Sequence, residues 1–477
     1  MTAFASSAGW GKIAQIDWSI RPRLVRDFAD LQTALNDGPG PVIVQKGGNW
    51  TNPDGFTDIH GGTLLFFEPS SGGTLLRTVF RAKGNEGDAI IRNANFAPGV
   101  LPNVPDVATD AAQNGDGWQR IIYDYCRFMF SRDEVFSSGF GCDYVTCMRS
   151  ILAWGLHDTG RADGELHSKA GMFHHTGVGH GTIWLSALLH NYDRNYRCVG
   201  GGMYELINNL VFDWETGIYV SNGTAGGRTM LHVIGNNYMA HPTNKKAIGG
   251  MRGQNWLVYL NDNQGNFTGL DAANISQSPL FESQVPEELI RPSSEINAEL
   301  LNEIGPKNHD ALWERLIADV RTLHRGIIDS PDEVGGYPVL TPVPVIDSND
   351  DGIPDDYDGM FVDFEEYHEA KLTDVLPDDT EPPFIQMILP RDNANVGKKV
   401  VIAGIVSDNV KVSRIDLLVG TTLLHTIDEP LHSWSWTWNI PTSQLNGEAF
   451  LFARAFDDSG NFTTAVKRII IRRFQEV

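Results

Sequence analysis

Short hydrophobic runs repeat along the middle of the chain, from about Gly62 to Asn263. Each run is rich in β-branched and aromatic residues, and Gly, Asn and Asp separate it from the next, which is typical of β-strands joined by turns. Several runs begin roughly 20–27 residues after the previous one, a period that indicates stacked coils rather than hairpins. No helical pattern lies between them, which disfavours βαβ units. The pattern predicts a β-solenoid.

Helical patterns lie on both sides of these repeats. Before them, Leu24–Asn36 has apolar residues at helical spacing, and a short strand is expected at Pro41–Gln45. After them, Ser293–Arg325 predicts two capped helices. Within the repeats, a wider gap before Thr182 predicts a loop insertion, which is expected to carry the triplet His167, Ser168 and Lys169. Loops on one face of a solenoid are where binding sites are usually built.

The C-terminal part of the chain has a different pattern. Prolines at 342 and 344 interrupt the chain, and the acidic, proline-rich stretch Pro377–Pro383 is typical of a linker. Beyond it, short alternating strands predict a small β-sandwich, and SDNVKVSRIDLLVG with ARAFDDSGN resembles bacterial immunoglobulin-like (Ig-like) modules. Trp434, Trp436 and Trp438 share one face of a strand, which favours a core position over a sugar-binding surface.

The charge of the chain restricts its partners. The formal net charge is −23 over 477 residues. Nucleic acid is disfavoured, because phosphate binding needs a basic footprint. Membrane insertion is not expected, since no apolar run is long enough to span a bilayer. An acidic polysaccharide would also be repelled, unless Arg, Lys or a bound cation reverses the field locally.

The cysteines and the first residues bear on the compartment. Cys126, Cys142, Cys147 and Cys198 follow no metal-ligand spacing, so buried free thiols are predicted. The first residues contain no basic region followed by an apolar segment, as a secretory signal would. We therefore expect either the mature form of a secreted protein or a protein that leaves its cell by another route, such as a virion released by lysis.

Two cationic clusters flank one apolar run, Thr182–Leu189, which is expected to be a single strand. The first cluster is the triplet His167, Ser168 and Lys169, and the second lies in HNYDRNYR and contains Arg194 and Arg197. Such a surface suits binding of an anionic chain. The two motifs resemble the bacterial pectate lyases, as do the helix-then-strand opening and the tail GIIDSPDEVGGYPVL. The resemblance implies a right-handed parallel β-helix that cleaves polygalacturonate by β-elimination.

The resemblance also implies roles for single residues. Arg194 would be the catalytic base, and Lys169 would act beside it. Lys169, Arg197 and His167 would bind the carboxylates of the substrate. Calcium ligands are expected at Asp106, in PDVATD, and at Asp133 and Glu134, in SRDEVFSS. The alternative for these acids is an ordinary solvated position near a turn.

Several positions depart from the family pattern. Tyr196 stands in place of a proline, Trp184, Leu185 and Ser186 replace His-His-Asn, and Ser138 stands where an acidic residue is expected. The remaining histidines nearby follow no regular ligand spacing, so a flexible loop lining the groove is favoured over a zinc site. These histidines are His174, His175 and His180.

A second calcium motif lies outside the solenoid. The stretch DSNDDGIPDDYD follows the spacing of an EF-hand loop, with a glycine at the turn. Asp replaces Glu at the twelfth position. So many carboxylates in so few residues repel one another without a cation, although an acidic disordered linker is the alternative. The expected ligands are Asp347, Asn349, Asp351, the carbonyl of Ile353, Asp355 and Asp358.

We therefore predict a mainly β protein with Ca²⁺ as cofactor. The predicted parts are a parallel β-helix with its caps at 1–340, an EF-hand-like segment at 341–376, a linker at 377–383 and an Ig-like β-sandwich at 384–477. The expected function is that of an extracellular, calcium-dependent lyase that cleaves an acidic, polygalacturonate-like polysaccharide by β-elimination. The alternative is a phage tail or surface protein, active or inactive, in which the solenoid binds or depolymerises glycans. The Ig-like module is expected to be a spacer or a protein-docking domain first and a carbohydrate-binding domain second.

Overall fold

The repeated hydrophobic runs form successive coils of a parallel β-helix in the computed structural model, which confirms the predicted fold class. The structure describes residues 8–340 and 382–472, which form two compact units on either side of the gap. Within these ranges it leaves out 18–19, 21, 26, 46–47, 53–54, 69–72, 83, 85, 102–108, 140, 161–163, 176–178, 222–226, 240, 253–254, 409–411, 429, 431–432, 445 and 458–459.

Three parallel sheets make up the walls of the β-helix, and each coil visits sheet A, then sheet C, then sheet B. Sheet A contains Arg23–Val25, Gly40–Val44, Thr63–Phe67, Gly87–Arg92, Gln119–Asp124, Asp143–Met148, Gly179–Trp184, Gly202–Ile207, Thr229–Ile234, Trp256–Asn261 and Ile275–Ser276. Sheet C contains Asn49–Thr51, Thr74–Leu76, Asn95–Ala97, Arg127–Met129, Ile151–Ala153, Ala187–Asn191, Leu210–Trp214 and Asn237–Tyr238. Sheet B contains Phe56–Asp58, Val79–Ala82, Ala112–Asn114, Glu134–Gly139, Lys169–His174, Arg197–Val199, Ile218–Ser221 and Ile248–Arg252.

A two-residue corner joins sheet A to sheet C in several consecutive coils. Its first residue has a positive φ, as at Leu185 (48°). The side chain of its second residue accepts a hydrogen bond from the backbone of the previous coil, so that Ser186 Oγ accepts from Ser150 N at 3.1 Å. Ser186 N in turn donates to Asn209 Oδ1 at 3.0 Å. The run Thr182–Leu189 is therefore two strands around a corner and not one, and Ser186 serves there as a buried hydrogen-bonding group.

Apolar side chains fill the inside of the coils. Phe80, Phe96, Tyr123, Phe128 and Phe136 form a buried aromatic cluster, with Phe96 stacked on Phe128 at a centroid distance of 5.0 Å. The burial of this surface is the main stabilising term for such a fold. All four cysteines are buried as free thiols, as predicted, and burial raises the pKa of each of them.

Helix α1 (Phe28–Asn36) lies at the N-terminal end of the solenoid and buries Leu31 and Leu35. It begins later than the predicted Leu24, because Arg23–Val25 already pairs with Gly40–Val44 as the first strand of sheet A. Asp27 caps the helix and accepts a hydrogen bond from Asp30 N at 2.8 Å.

The region after the coils contains one of the two predicted helices. Helix α2 (Ala311–Thr322) is capped by Asp310 and packs its apolar face into a second core on the outside of the sheets. The other predicted helix was wrong, because Ser293–Glu295 and Ala298–Asn302 are short 3₁₀ turns. No helix in the described parts of the chain is long and apolar enough to cross a membrane.

The second unit is an antiparallel sandwich of two sheets. Its core contains Trp434 and Trp438, and Trp436 packs against it while stacking on His425 at 4.9 Å. The tryptophans therefore take the predicted core positions. One sheet contains Phe384–Leu389, Lys399–Ser407 and Ser433–Asn439, and the other contains Ala394–Val396, Val412–Val419, Thr422–Asp428, Gly447–Asp457 and Phe462–Ile471.

Candidate active site

Charged side chains collect along the edge of sheet B where its strands begin. Glu134 is the first residue of one strand and lies in register with Lys169, the first residue of the next. Lys169 forms a further bridge to Asp193, which precedes Arg194. Because neighbouring strands are about 4.8 Å apart, these residues from three successive coils form one short row.

The predicted loop insertion does not carry the whole His167–Lys169 triplet. Lys169 opens a strand of sheet B, and His167 and Ser168 lead directly into it. Ser168 N donates to Leu156 O and Asp193 N donates to Ser168 O, so that the triplet is tied to the coil on each side. The side chains of the triplet are consequently held by the solenoid rather than by a free loop.

Three carboxylates lie together at this edge, from Asp110, Asp133 and Glu134. One oxygen of each lies within 4.8 Å of the others. Asp110 accepts hydrogen bonds from Glu134 N at 3.1 Å and from the hydroxyl of Ser137. Burial, followed by the charge of Asp133, raises the pKa of Asp110 to about 7, although Ser137, Lys169 and Arg194 oppose the shift. The cluster is thus strained by its own negative charge.

Asp133 is the carboxylate of the cluster that contacts both Lys169 and His167. Its Oδ1 lies 2.5 Å from Nζ of Lys169 and 2.9 Å from Nδ1 of His167. Burial alone would raise the pKa of Asp133, but the hydrogen bond from His167 and the charge of Lys169 lower it to about 2. Asp133 therefore stays ionised at any working pH.

Arg194 lies against the acidic cluster. One terminal nitrogen, Nη1, contacts Oε1 of Glu134, and Nε lies 3.8 Å from Asp193 Oδ2. Its backbone has a φ of 55°, which turns the chain just before the strand Arg197–Val199. Burial and then the charge of Arg197 lower the pKa of Arg194 to about 10, against the attraction of Asp133 and Asp110. A proton leaves this guanidinium more readily than an ordinary one.

Arg197 lies one step further along the same face. It is in register with Met172 and Tyr219, and its guanidinium carbon lies 5.2 Å from the centre of the Tyr219 ring. Its Nε is buried without a hydrogen-bond partner in the described structure. The N–H at this position can donate a hydrogen bond to an anion.

The acidic cluster fits a hard divalent cation. Its donor set consists of carboxylate oxygens alone, which calcium prefers. Glu134 Oε1 is buried and accepts no hydrogen bond of good geometry from the described residues, despite its contact with Arg194. A cation bound there would give that oxygen a second positive partner beside Arg194 and relieve the repulsion within the cluster. We therefore regard Asp110, Asp133 and Glu134 as the residues that could hold calcium.

Sequence reasoning missed Asp110, although the signal was present. PDVATD contains two aspartates, and the resemblance pointed to the first, Asp106, which lies outside the described residues. The second is the one that joins the cluster. The EF-hand-like stretch also lies outside the described residues, with Asp347, Asn349, Asp351, Ile353, Asp355 and Asp358.

The other histidines do not form the predicted flexible loop. His174 ends a strand of sheet B and His180 lies in a strand of sheet A, where its Nδ1 is 2.9 Å from Asp143 Oδ1. His175 is buried, and burial lowers its pKa to about 4.

Comparison with known proteins places this chain near pectate lyases. Probable pectate lyase C of Aspergillus terreus is 26% identical over 289 residues, covering 57% of this chain and 65% of the relative. The Aspergillus flavus protein of the same name is 25% identical over 292 residues, with the same coverage. The chain thus spans just under two thirds of the length of these curated relatives.

Two solved structures and one family description also match parts of the chain. A point mutant of Bacillus subtilis pectate lyase has a TM-score of 0.45 and 14% identity, covering 64% of this chain and 98% of that one. Pectate lyase II of Xanthomonas campestris has a TM-score of 0.45 and 15% identity, covering 63% and 98%. Residues 383–452 match the family described as bacterial Ig domain.

Proposed function

We propose that this protein is a calcium-dependent polysaccharide lyase of the pectate lyase type, which cleaves an acidic, polygalacturonate-like polysaccharide by β-elimination. The observation that carries the proposal is the contact of Arg194, whose pKa is lowered to about 10, with a cluster of three carboxylates, two of them buried. The names of the relatives support the same chemistry.

The reaction needs a base, a way to neutralise the uronate carboxylate, and a proton for the leaving oxygen. The base takes the proton from C5, the freed electron pair forms the C4–C5 double bond, and the C4–oxygen bond breaks with its electron pair passing to the leaving oxygen, which takes a proton from solvent water. We assign Arg194 as the base. About a tenth of a group is deprotonated one pH unit below its pKa, so Arg194 is competent in mildly alkaline solution.

Lys169 and Arg197 bind and orient the substrate in this proposal. Lys169 is held by Asp133, and Arg197 is steadied by the ring of Tyr219, so both cations are positioned before the substrate arrives. Asp110, Asp133 and Glu134 would hold calcium. When bound, calcium would neutralise the uronate carboxylate and so make the C5 proton more acidic.

Two parts of the proposal rest on sequence alone. The stretch Asp347–Asp358 is proposed as a second calcium site, and the Ig-like unit as a docking or spacer module. We place the activity outside the cell, where acidic polysaccharides occur. The lyase is preferred over the virion alternative because its relatives are named pectate lyases.

The test is the ultraviolet absorbance of the unsaturated product from polygalacturonate, with calcium and with a chelator. We expect product only with calcium, and a loss of about 10²–10⁴-fold in rate for Arg194→Lys. Arg321→Lys is the matched control, because Arg321 lies on α2 and pairs at the surface with Glu299 of the turn Ala298–Asn302. Absence of product from the wild type on a panel of acidic polysaccharides with calcium would refute the proposal.

A further inference from the structure

His167 lies behind the acidic cluster, where a polysaccharide chain cannot reach it. It is 2% exposed, and its Nε2 is buried without a hydrogen-bond partner among the residues described. The nearest carboxylate to that nitrogen, Glu165 Oε2, is 3.9 Å away. Among the described residues, the one close polar contact of its side chain is the 2.9 Å contact between Nδ1 and Asp133 Oδ1. Whatever His167 does at the site, it does through Asp133.

Asp133 Oδ1 is shared by two donors. His167 Nδ1 and Lys169 Nζ both contact it, at 2.9 and 2.5 Å. No donor among the described residues takes the other oxygen, Oδ2. One oxygen of Asp133 is therefore engaged with this chain, while the other remains available to a cation.

The two donors differ in how firmly they are held. The backbone of His167 is fixed, since its N donates to His157 O at 2.9 Å and the next residue, Ser168, bonds to the coils on both sides. An imidazole has two side-chain torsions, whereas the lysine ammonium lies at the end of a flexible stem. The carboxylate torsion of an aspartate is itself soft. Lys169 alone could not stop that carboxylate from turning, but a fixed imidazole can.

We propose that His167 is a positioning residue, which fixes the Asp133 carboxylate so that Oδ1 holds Lys169 while Oδ2 is presented to the calcium ion. The inference rests on the proposed function, because it assumes the cation site. It replaces the role of substrate ligand that the resemblance implied for His167. Asp133 then contacts both the calcium ion and Lys169, the residue proposed to bind the substrate. His167 keeps the Asp133 carboxylate in one orientation.

Calcium titration calorimetry on the full chain tests the inference without an activity assay. The chain has a second candidate calcium stretch, so the binding step to follow is the one that Asp110→Asn abolishes. His167→Leu and His167→Ala remove the donor, and we expect each to weaken that step by about 10–100-fold, as loss of an outer-shell partner does. His167→Asn keeps an N–H near the position of Nδ1, so we expect its affinity to stay close to that of the wild type. His60→Asn is the control, because His60 pairs with Glu86 away from the cluster.

A kinetic measurement separates positioning from general damage. In His167→Leu, the calcium concentration for half-maximal rate and the KM for polygalacturonate should both rise, and excess calcium should restore most of kcat. Wild-type affinity in both donor-free variants overturns the inference alone, as does an Asn variant that binds as weakly as they do. Absence of the Asp110-dependent step in the wild type overturns the calcium site of the proposed function as well.

Discussion

Two groups of charged side chains in the β-helix differ in how completely each charge is paired with an opposite one. Arg127 and Asp310, each 1% exposed at the side chain, form two parallel contacts of 2.7 and 2.8 Å. Burial alone would raise the pKa of Asp310, but the charge and hydrogen bonds of Arg127 lower it. At the edge of sheet B, Arg194 instead shares three crowded carboxylates with Lys169, and the pKa of Asp110 rises to about 7.

The difference separates a structural pair from a site. As a matched pair, Arg127 and Asp310 satisfy each other's charge. The pair therefore links α2 to sheet C and leaves no unpaired charge for a ligand. At the edge of sheet B the three carboxylates repel one another, and in the proposed function a bound cation would relieve that repulsion. Local conflict retained in an otherwise consistent fold is a signature of function.

The largest expected effect is on stability, and it comes from the matched pair. Arg127→Met leaves Asp310 buried without its partner, and Arg127 Nε also donates to Asn95 Oδ1 at 2.8 Å. We expect a loss of about 3–5 kcal/mol in the free energy of unfolding, with wild-type catalysis by the fraction that remains folded. Denaturant unfolding of the full chain, followed by tryptophan fluorescence, measures it.

The contrasting variant is Asp110→Asn in the presence of a chelator. A buried acid with a raised pKa binds more protons in the folded state, so stability falls as pH rises from about 4 to about 7. Replacing it should therefore preserve or raise stability at about pH 8. If both variants lost equal stability, the distinction between the two ion pairs would be wrong.

The next effect concerns the pH dependence of calcium binding. Because burial and the charge of Asp133 raise the pKa of Asp110 to about 7, protons compete with calcium for its carboxylate below that pH. We expect affinity to be level above about pH 8 and to fall about tenfold per pH unit below about pH 7. Asp133, with a pKa of about 2, adds nothing in this range.

Calorimetry at several pH values measures this dependence. The calcium-binding step that Asp110→Asn removes should show this pH dependence. The heat of the remaining binding steps should vary less with pH. An affinity that stays constant from about pH 8 to about pH 5 would show that Asp110 is not a ligand.

The sequence predicted the coils well because their signal is local and repeated. Apolar runs at a fixed period require only that each strand bury one face on its neighbours. The run Thr182–Leu189 misled because its corner is marked by a single buried polar residue, Ser186, and by no Gly, Asn or Asp. Ser293–Asn302 misled because an apolar pattern typical of a helix is satisfied equally by 3₁₀ turns packed on a sheet.

The site was predictable in its motifs but not in its register. Lys169 and Arg194 came from short patterns, and the structure brings both to the acidic cluster. Choosing Asp110 over Asp106 required knowing which residue of PDVATD precedes the strand Ala112–Asn114. The burial of His167 likewise depends on contacts with residues 156–157 of the preceding segment, which no local pattern encodes.

The smallest effect tests how far a single hydrogen bond adjusts the pKa of Asp110. The hydroxyl of Ser137 donates to Asp110 Oδ2, and this hydrogen bond lowers a pKa that burial raises. Ser137→Ala should raise the pKa of Asp110 further, by about one unit if the bond contributes about 1.5 kcal/mol. Calcium affinity should then fall up to about tenfold near pH 6 and hardly at all once Asp110 is ionised in both proteins.

Ser138→Ala is the matched control, because the neighbouring hydroxyl faces His175 and not the cluster. A loss of affinity that is equal at all pH values would mean that Ser137 acts through packing, and the pH-selective loss is what electrostatic tuning of Asp110 requires.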